Sequence, residues 1–316
     1  RWHDGWKSEF SHKSEIVQPG YHRVFLDKYH TWVEQTASDR VSFYRFRYTE
    51  DAEANILVNL GGYVSTSTMT GAQVNKKSDT EIEGSFNTVG PIWGGPEKIR
   101  IFFALKLEKP MERFDSWKGE IKKTDVSSLE AEDVSSPRRE KGMSYHDAPT
   151  AGVSAYYHVK RGDELKVKIA ISYASIENAW ENMESDFNHW DFEKIREEAR
   201  DDWNQSLGKI DVKGGTRDQR VKFYTDLWHT LLGRHKLNDY SGDYPDYTQG
   251  EKKGAHTDAS LQVRKLPSGA DGNPKFNMYN SDAFWLTQWN LNILWGLGWP
   301  HLLDDFSASL VQYADN

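Results

Sequence analysis

The most chemically distinctive segment of the chain is residues 279–300, where four tryptophans alternate with short polar side chains. Its principal members are Asp282, Trp285, Trp289, Asn290, Trp295 and Trp299. Indole rings stack on apolar C–H faces, while carboxylates and carboxamides hydrogen-bond to hydroxyls. The composition is therefore typical of a wall that holds a sugar. It fits equally a buried aromatic helix whose polar side chains face solvent.

The elements that must position this segment begin with strands. Apolar and polar residues alternate strictly over residues 99–108 and 164–173. Such alternation is typical of antiparallel strands with one solvated face. Shorter strand candidates, separated by turn signals such as Pro19-Gly20 and Gly61-Gly62, are residues 24–26, 32–35, 41–48 and 55–60. Many strands at this spacing predict an N-terminal antiparallel β-sandwich.

Beyond residue 174 the apolar period changes to three and four residues, which predicts helices. One apolar stripe runs through residues 192–207 and ends at Gly208. Thr216 and Gln219 then form a capping box ahead of a second stripe. Strands followed by helices predict an α+β multidomain chain rather than alternating βαβ units.

Further helices are predicted over residues 281–297 and 301–313, with Pro300 suited to a helix start. The polar stretch 119–150 and the Gly- and Asp-rich stretch 238–275 predict long loops. Together these patterns divide the chain into three parts. They are a β-sandwich domain at 1–174, a helical linker at 175–212 and a helical domain at 213–316.

Charge and composition exclude several classes of function. The net charge is −8 and the Lys and Arg residues are scattered among acids, which argues against a nucleic-acid partner. The chain contains no cysteine, which excludes disulfides and thiol nucleophiles. No apolar run reaches membrane-spanning length, and the sequence shows no signal peptide.

Motifs for metal and nucleotide chemistry are missing. The loop beginning at Asn238 is rich in Asp, as calcium loops are, but Gly250 stands where an EF-hand counted from Asp239 needs Glu. Asx turns explain its composition equally well. HExxH, GxSxG and phosphate-loop patterns do not occur. With 48 acidic residues, spacing alone leaves the acid and base of a glycosidase unassigned.

Three segments, taken together, resemble glycoside hydrolase family 92, the calcium-dependent α-mannosidases. In residues 10–26, a Ser-His pair and Glu15 precede a Pro-Gly-Tyr turn and a strand. Residues 203–229 look like the family's linker and first catalytic-domain helix. Residues 279–310 match the segment in which the family places its tryptophan-centred sugar contacts. The likeness spans most of the chain, in consistent order.

The chain also departs from the family pattern. Where the commoner pattern reads Ser-Leu-Trp-Asp-Thr, this chain reads Ala-Phe-Trp-Leu-Thr over residues 283–287. Leu286 thus replaces the Asp that follows the tryptophan, and Asp282 lies on the other side. The Arg and His expected downstream correspond to Trp289 and Asn292. These departures bear on the sugar contacts and on mannose specificity.

The resemblance implies that residues 213–316 begin an (α/α)6 barrel behind the sandwich and linker. It implies an inverting, calcium-dependent exo-α-mannosidase that acts on α-mannosides such as N-glycan mannose. The implied substrate-binding residues are Asp282, Trp285, Trp289 and Asn290 in the aromatic segment, and His12 and Trp6 in the sandwich. On a helix, Asp282, Trp285 and Trp289 would share one face.

In this family the acid, the base and most calcium ligands lie in later helices, so the resemblance leaves the catalytic residues and Ca²⁺ ligands of this chain unknown. The sequence looks like an internal N-terminal portion of a longer chain. We expect the remaining C-terminal catalytic portion on another chain, and a secreted, periplasmic or cell-surface location. Two alternatives stay open: an enzyme of this architecture that acts on α-glucosides, and a non-catalytic carbohydrate-binding fragment.

Overall fold

The computed structural model describes residues 6–61, 63–64, 67–89, 98–131, 150–232, 235–248, 262–280 and 287–316. Strands dominate the first part of the chain and helices the last. The strands are β1 (Ile16–Gln18), β2 (Tyr21–Leu26), β3 (Thr31–Ala37), β4 (Val41–Tyr48), β5 (Ala52–Asn59), β6 (Tyr63–Val64), β7 (Ser67–Lys76), β8 (Glu81–Val89), β9 (Lys98–Leu107), β10 (Arg113–Lys118), β11 (Ile121–Lys123), β12 (Ser128–Ala131), β13 (Ala151–Val159), β14 (Glu164–Ser172), β15 (Asp243–Asp246) and β16 (Gln262–Lys265). The helices are α1 (Ile176–Asp186), α2 (Phe192–Leu207), α3 (Arg217–Leu231), α4 (Leu291–Gly298) and α5 (Pro300–Asp315).

Two antiparallel sheets of unequal size form the first part of the molecule. The larger sheet has the order β1-β2-β3-β4-β14-β9-β8-β7-β12, with β6 paired to β7, and the smaller has the order β11-β10-β13-β5. Buried side chains from both sheets form the main hydrophobic core, among them Leu105, Phe114, Val153 and Val167. The predicted antiparallel β-sandwich is therefore confirmed.

The helices of the predicted linker cover the outer face of the larger sheet. Helix α1 contacts β14 and β9, and α2 contacts β3 and β2. A second core lies in this layer and includes Phe43, Met183 and Phe192. The alternation in β14 predicts a polar face that is solvated. This prediction is wrong at Lys168, which lies on that face beneath the helices and is 2% exposed.

Aromatic rings and a backbone carbonyl surround the buried ammonium group of Lys168. Its ammonium nitrogen lies 4.5 Å from the ring centroid of Trp190 and 5.0 Å from that of Phe187. It also donates a 3.4 Å hydrogen bond to the Phe187 carbonyl oxygen. Burial nevertheless lowers the pKa of Lys168 to about 8. Cation–π contacts thus replace water around a lysine that fixes the link between α1 and α2.

A buried ion cluster attaches α2 to the sheet. The Arg45 guanidinium donates two 2.9 Å hydrogen bonds to the Glu34 carboxylate and one of 2.6 Å to Glu193 at the start of α2. The Tyr21 hydroxyl donates to Glu34 at 2.6 Å. A charge buried at this depth requires such partners, so each member holds the others in place.

Two of the predicted loops contain strands. Within 119–150, β12 pairs with β7 and buries Leu129 and Ala131, while its polar residues point outward. Within 238–275, β15 and β16 pair as an antiparallel ladder. The strands β12, β15 and β16 are short and rich in polar residues, so composition alone did not reveal them. Residues 132–149 and 249–261 lie outside the described residues.

The helix boundaries follow local capping chemistry. The predicted capping box is present, with the Thr216 and Gln219 side chains each bonded to the other's backbone. Helix α2 ends at Gly208, and α5 begins at Pro300, as predicted. The helix predicted over 281–297 is wrong at residues 287–290, which form a turn in which Asn290 has non-helical dihedral angles. Residues 281–286 lie outside the described residues. No helix in the described ranges is long and apolar enough to cross a membrane.

We predict that Glu34→Gln lowers the free energy of unfolding at pH 7 by about 3 kcal/mol, because the buried Arg45 charge then keeps only the half-exposed Glu193 carboxylate as an anionic partner. Burial raises the pKa of Glu34, but its bonds to Arg45 and Tyr21 outweigh burial and leave that pKa below 4.5. The carboxylate's contribution is therefore present above about pH 4.5 and lost as the pH falls further. Urea unfolding between pH 3 and 7 should show a steeper acid loss in the native protein than in the variant. Equal pH slopes would contradict this, and Glu120→Gln at an exposed position is the control.

A second prediction concerns the close approach of α2 to the turn before β2. Gly20 has φ +76°, and a Cβ there would lie 2.9 Å from the Ala199 Cβ. Gly119 has a similar φ of +58° with open space around it. Gly119→Ala should lower the free energy of unfolding by roughly 1–2 kcal/mol, which is the cost of a left-handed backbone at a residue with a Cβ. Gly20→Ala should lower it by measurably more, because α2 must also move. Chemical denaturation measures both, and an equal loss would show that the contact with α2 does not matter.

Candidate functional site

The start of the aromatic segment is fixed to the strand-like segment 235–239. Tyr279 forms an antiparallel bridge with Lys236. Asn280 accepts a 3.0 Å hydrogen bond from the His235 backbone through its side-chain oxygen, and its own N–H donates to the His235 carbonyl at 3.1 Å. These paired bonds determine where the chain enters residues 281–300.

Segment 235–239 is in turn attached to the turn between β3 and β4. Lys236 forms an ion pair with Asp39. The Arg40 guanidinium donates to the Asn238 carbonyl oxygen at 3.0 Å. The sandwich therefore positions the aromatic segment through this junction. No pattern in the sequence distinguishes Asp39 or Arg40 from the residues of an ordinary turn, because their partners are nearly two hundred residues away.

Asp239 is the buried centre of the junction. Its carboxylate accepts hydrogen bonds from Ser172 at 2.6 Å, Asn178 at 2.9 Å and Asn182 at 2.7 Å. Burial raises the pKa of Asp239, and these three bonds only partly oppose the effect. The acid-rich loop that resembled a calcium loop thus uses its central carboxylate to join the end of β14 and α1 to the later chain.

No three His, Asp or Glu side chains within the described ranges converge on a point that could hold a metal ion. The residues of the junction can bond hydroxyl groups and amides, and they provide no metal centre of their own.

Two tryptophans of the aromatic segment belong to the helical core. Trp295 and Trp299 are 3% and 1% exposed. The indole N–H of Trp295 donates to the Thr230 carbonyl oxygen and that of Trp299 to the Ser206 carbonyl oxygen, both at 3.2 Å. Trp295 also packs edge-on against Phe306. The buried-helix interpretation is therefore right for this end of the segment.

Two of the predicted sugar contacts lie at the surface instead. Trp289 is 64% exposed, and Asn290 is exposed directly before α4. Because both belong to a turn, the helical face predicted to join Trp289 with Asp282 and Trp285 does not extend to Trp289. Asp282 and Trp285 lie outside the described residues, so their role stays a prediction.

The structure places Trp6 at the other end of the sheet. Its carbonyl oxygen accepts a 2.7 Å hydrogen bond from the Tyr29 hydroxyl, in the single-turn helix that links β2 to β3. The turn at residues 38–40 lies at the opposite end of these strands, because Leu26 pairs with Thr31 and Ala37 leads into the turn. At about 3.3 Å per residue, one strand length of roughly 20 Å separates the two turns.

His12 forms part of a small cluster on the same N-terminal segment. Its ring nitrogen Nδ1 lies 2.6 Å from one oxygen of Glu15, and the other oxygen lies 3.0 Å from Nε2 of His22. Hydrogen bonds from His22 and His12 lower the pKa of Glu15. His12 is therefore engaged with a carboxylate, and its contact with sugar stays a prediction.

Comparison with known proteins identifies the family. The N-terminal domain model of glycosyl hydrolase family 92 matches residues 1–172, and the catalytic domain model matches residues 178–316. An uncharacterized secreted glycosidase of Arthroderma benhamiae is 30% identical over 86 residues, which are 26% of this chain and 11% of that protein.

Two solved structures from Bacteroides thetaiotaomicron share the fold. A family GH92 α-mannosidase is 20% identical with a TM-score of 0.79, over 99% of this chain and 38% of that one. A family GH92 inverting mannosidase is 19% identical with a TM-score of 0.76, over 98% of this chain and 36% of that one. The chain thus spans less than two fifths of the length of these structures. Because the N-terminal model alone covers more than half of the sequence and the catalytic model continues it, the chain belongs to glycosyl hydrolase family 92.

Proposed function

We propose that this chain is the N-terminal part of an inverting, calcium-dependent exo-α-mannosidase that acts on α-mannosides such as N-glycan mannose. The observation that carries the proposal is the succession of the two family 92 models over residues 1–172 and 178–316. The names of the two Bacteroides structures, an α-mannosidase and an inverting mannosidase, support the substrate and the stereochemistry.

In an inverting glycosidase one carboxylic acid protonates the leaving oxygen while a second carboxylate activates water on the opposite face of the sugar. The two carboxyl groups stand about 6.5–9.5 Å apart, which leaves room for that water. We place this pair in the remaining catalytic portion, as the family resemblance implies. The residues of this chain would bind and orient the sugar.

The proposed sugar wall consists of Asp282, Trp285, Trp289 and Asn290. The exposed indole of Trp289 offers an apolar face, and the neighbouring Asn290 side chain offers an acceptor and two donors. His12 and Trp6 are proposed as further contacts from the sandwich, on the strength of the family resemblance alone.

The calcium dependence also rests on the resemblance alone. The described residues do not fit a calcium site, because they bring no cluster of acidic or histidine ligands together. We therefore propose that the Ca²⁺ ligands lie outside the described residues. No step assigned to this chain's own residues depends on the ion.

We propose that the rest of the catalytic domain, carried by another chain, covers an apolar face on α4. Ile293 and Leu297 lie four residues apart on this helix and are 60% and 83% exposed. Exposed apolar surface of this kind marks an interaction site. The greater length of the solved family members supports the rest of the catalytic domain as the occupant of this face. Its place on another chain is an expectation from the sequence.

A secreted, periplasmic or cell-surface location completes the proposal. The Arthroderma relative is named a secreted glycosidase, which supports it. An α-mannosidase that acts on glycans outside the cell would meet its substrate there.

We predict that the protein assembled with its remaining catalytic portion hydrolyses aryl α-mannosides at least a hundredfold faster than aryl α-glucosides. Proton NMR of the first product should show the inverted anomer. A chelator should abolish turnover and added Ca²⁺ should restore it. Preference for glucosides would favour the α-glucoside enzyme, and binding of mannobiose without turnover would favour the non-catalytic fragment.

A further prediction separates the sugar wall from the helical core. Trp289→Ala should weaken mannobiose binding about tenfold, since an aromatic contact contributes roughly 0.5–1.5 kcal/mol, and should leave the melting temperature unchanged. Trp295→Ala should lower the free energy of unfolding by about 3–5 kcal/mol, because it empties a packed site. Calorimetry and thermal unfolding measure the two effects. Phe223→Ala at another exposed aromatic residue is the control, and an affinity unchanged by Trp289→Ala would remove Trp289 from the site.

A further inference from the structure

The sandwich core opens at one end of β14. Along this strand, the side chains that face the smaller sheet become more exposed toward its C-terminal end. Leu165 and Val167 are fully buried, Ile169 is partly buried and Ile171 is 39% exposed. At the open end lies a cleft of about 160 Å³, next to the turn at residues 38–40.

The lining of this cleft is apolar on one wall and polar at the rim. Ser42 pairs with Ile169 across β4 and β14, and Tyr44 pairs with Val167 in the next row. The lining of the cleft includes Ile169, Ile171 and Tyr44 from the strands, with Ser42, Asp39 and Arg40 beside them. An aromatic ring and branched alkyl groups next to hydroxyl, carboxylate and guanidinium groups suit a ligand with one apolar face and several hydroxyls.

The rim charges balance one another. Asp39 is paired with Lys236, and the Arg40 guanidinium lies 3.8 Å from the Asp186 carboxylate. Burial raises the pKa of Asp39, but the Lys236 ammonium outweighs it and holds that pKa below its usual range. The carboxylate is therefore ionised at neutral pH and each cation has an anionic partner. A phosphate or nucleotide would require uncompensated cations, so the ligand that fits is uncharged.

The rim is also held rigidly. The Asp186 carboxylate accepts a 2.5 Å hydrogen bond from the Ser38 hydroxyl and a 3.0 Å bond from the Arg40 backbone. The Arg40 side chain is fixed from the other side by the Asn238 carbonyl oxygen. Donors and acceptors that are already held by packing and hydrogen bonds lose little entropy when a ligand binds.

The cleft adjoins the entrance to the aromatic segment. Tyr279 forms a bridge with Lys236, and Lys236 is paired with Asp39 at the rim of the cleft. A ligand in the cleft would therefore lie near Tyr279, where the aromatic segment 279–300 begins.

We propose that this cleft is a subsite for one uncharged pyranose unit of a glycan, with the ring stacked against Tyr44 and the isoleucines and its hydroxyls bonded by Ser42 and Asp39. Sites for drug-sized ligands occupy about 300–1,000 Å³, so the smaller cleft limits the occupant to a single ring. The inference rests on the proposed function, because it takes the neighbouring unit of the same glycan to be held by the wall at 279–300.

The experiment is methyl NMR of the whole chain with ¹³C-labelled isoleucine methyl groups, titrated with methyl α-D-mannopyranoside. The Ile169 and Ile171 methyl signals should shift in a saturable manner. The Ile121 signal, from an exposed residue on β11, should not shift. The absence of saturable shifts at Ile169 and Ile171 would overturn the subsite. Equal shifts on titration with inorganic phosphate would overturn its assignment to an uncharged sugar.

A matched pair of variants tests the location. Ile171→Trp fills the cleft at a half-exposed position, and Ile121→Trp makes the same change on the smaller sheet. The affinity reported by Ile169 should fall at least tenfold in Ile171→Trp and stay unchanged in Ile121→Trp. Both variants should unfold at the native temperature, because neither position is buried. Undiminished binding in a folded Ile171→Trp variant would overturn the proposal.

The proposed function is measured separately, by turnover of aryl α-mannosides in the assembled enzyme. Turnover without binding in the cleft would overturn the subsite and leave the mannosidase proposal standing. Saturable binding in a protein that lacks turnover would support the subsite and count against the mannosidase proposal.

Discussion

The buried carboxylate of Asp239 is the constraint on which the arrangement of this chain depends. It accepts hydrogen bonds from Ser172 at the end of the sandwich and from Asn178 and Asn182 on α1. A buried acceptor of this kind is costly to leave unpaired, so all three donors must arrive together. Their convergence fixes segment 235–239, and with it the start of the aromatic segment at Tyr279.

Burial imposes the same need for partners on the charged side chains at the outer face of the larger sheet. A sheet with one solvated face could carry its charged side chains in water, but this face is covered by α1 and α2. The charged residues left beneath the helices each have their own partners: Arg45 is bonded to carboxylates, and Lys168 is surrounded by rings and a carbonyl. The helices are thus held by specific polar contacts as well as by apolar packing.

The sequence predicted what depends on near neighbours. Strict alternation located β9 and β14, and capping chemistry located the start of α3 at Thr216 and the end of α2 at Gly208. The sequence could not predict the burial of Lys168, because the helices that cover it follow later in the chain and do not change the alternation of apolar and polar residues in β14. The strands within 119–150 and 238–275 were missed for a related reason: their partners, rather than their composition, make them strands.

The candidate site was predictable only in part. Composition marked the aromatic segment, and the structure divides it into a buried end at Trp295 and Trp299 and an exposed residue at Trp289. Asp39, Arg40 and the open end of the core had no signature, because their surroundings come from strands and segments distant in sequence.

The position of β14 in the larger sheet has a consequence for the order of events during synthesis. This strand lies between β4 and β9, so β4 has no neighbour on that side until β14 leaves the ribosome. At roughly 5–20 residues per second, translation of residues 49–163 between them takes on the order of 6–23 s. The edge of β4 stays open throughout that interval, and the strand that closes it is followed at once by α1. Completion of the sheet and arrival of its helical cover are therefore nearly simultaneous on the nascent chain.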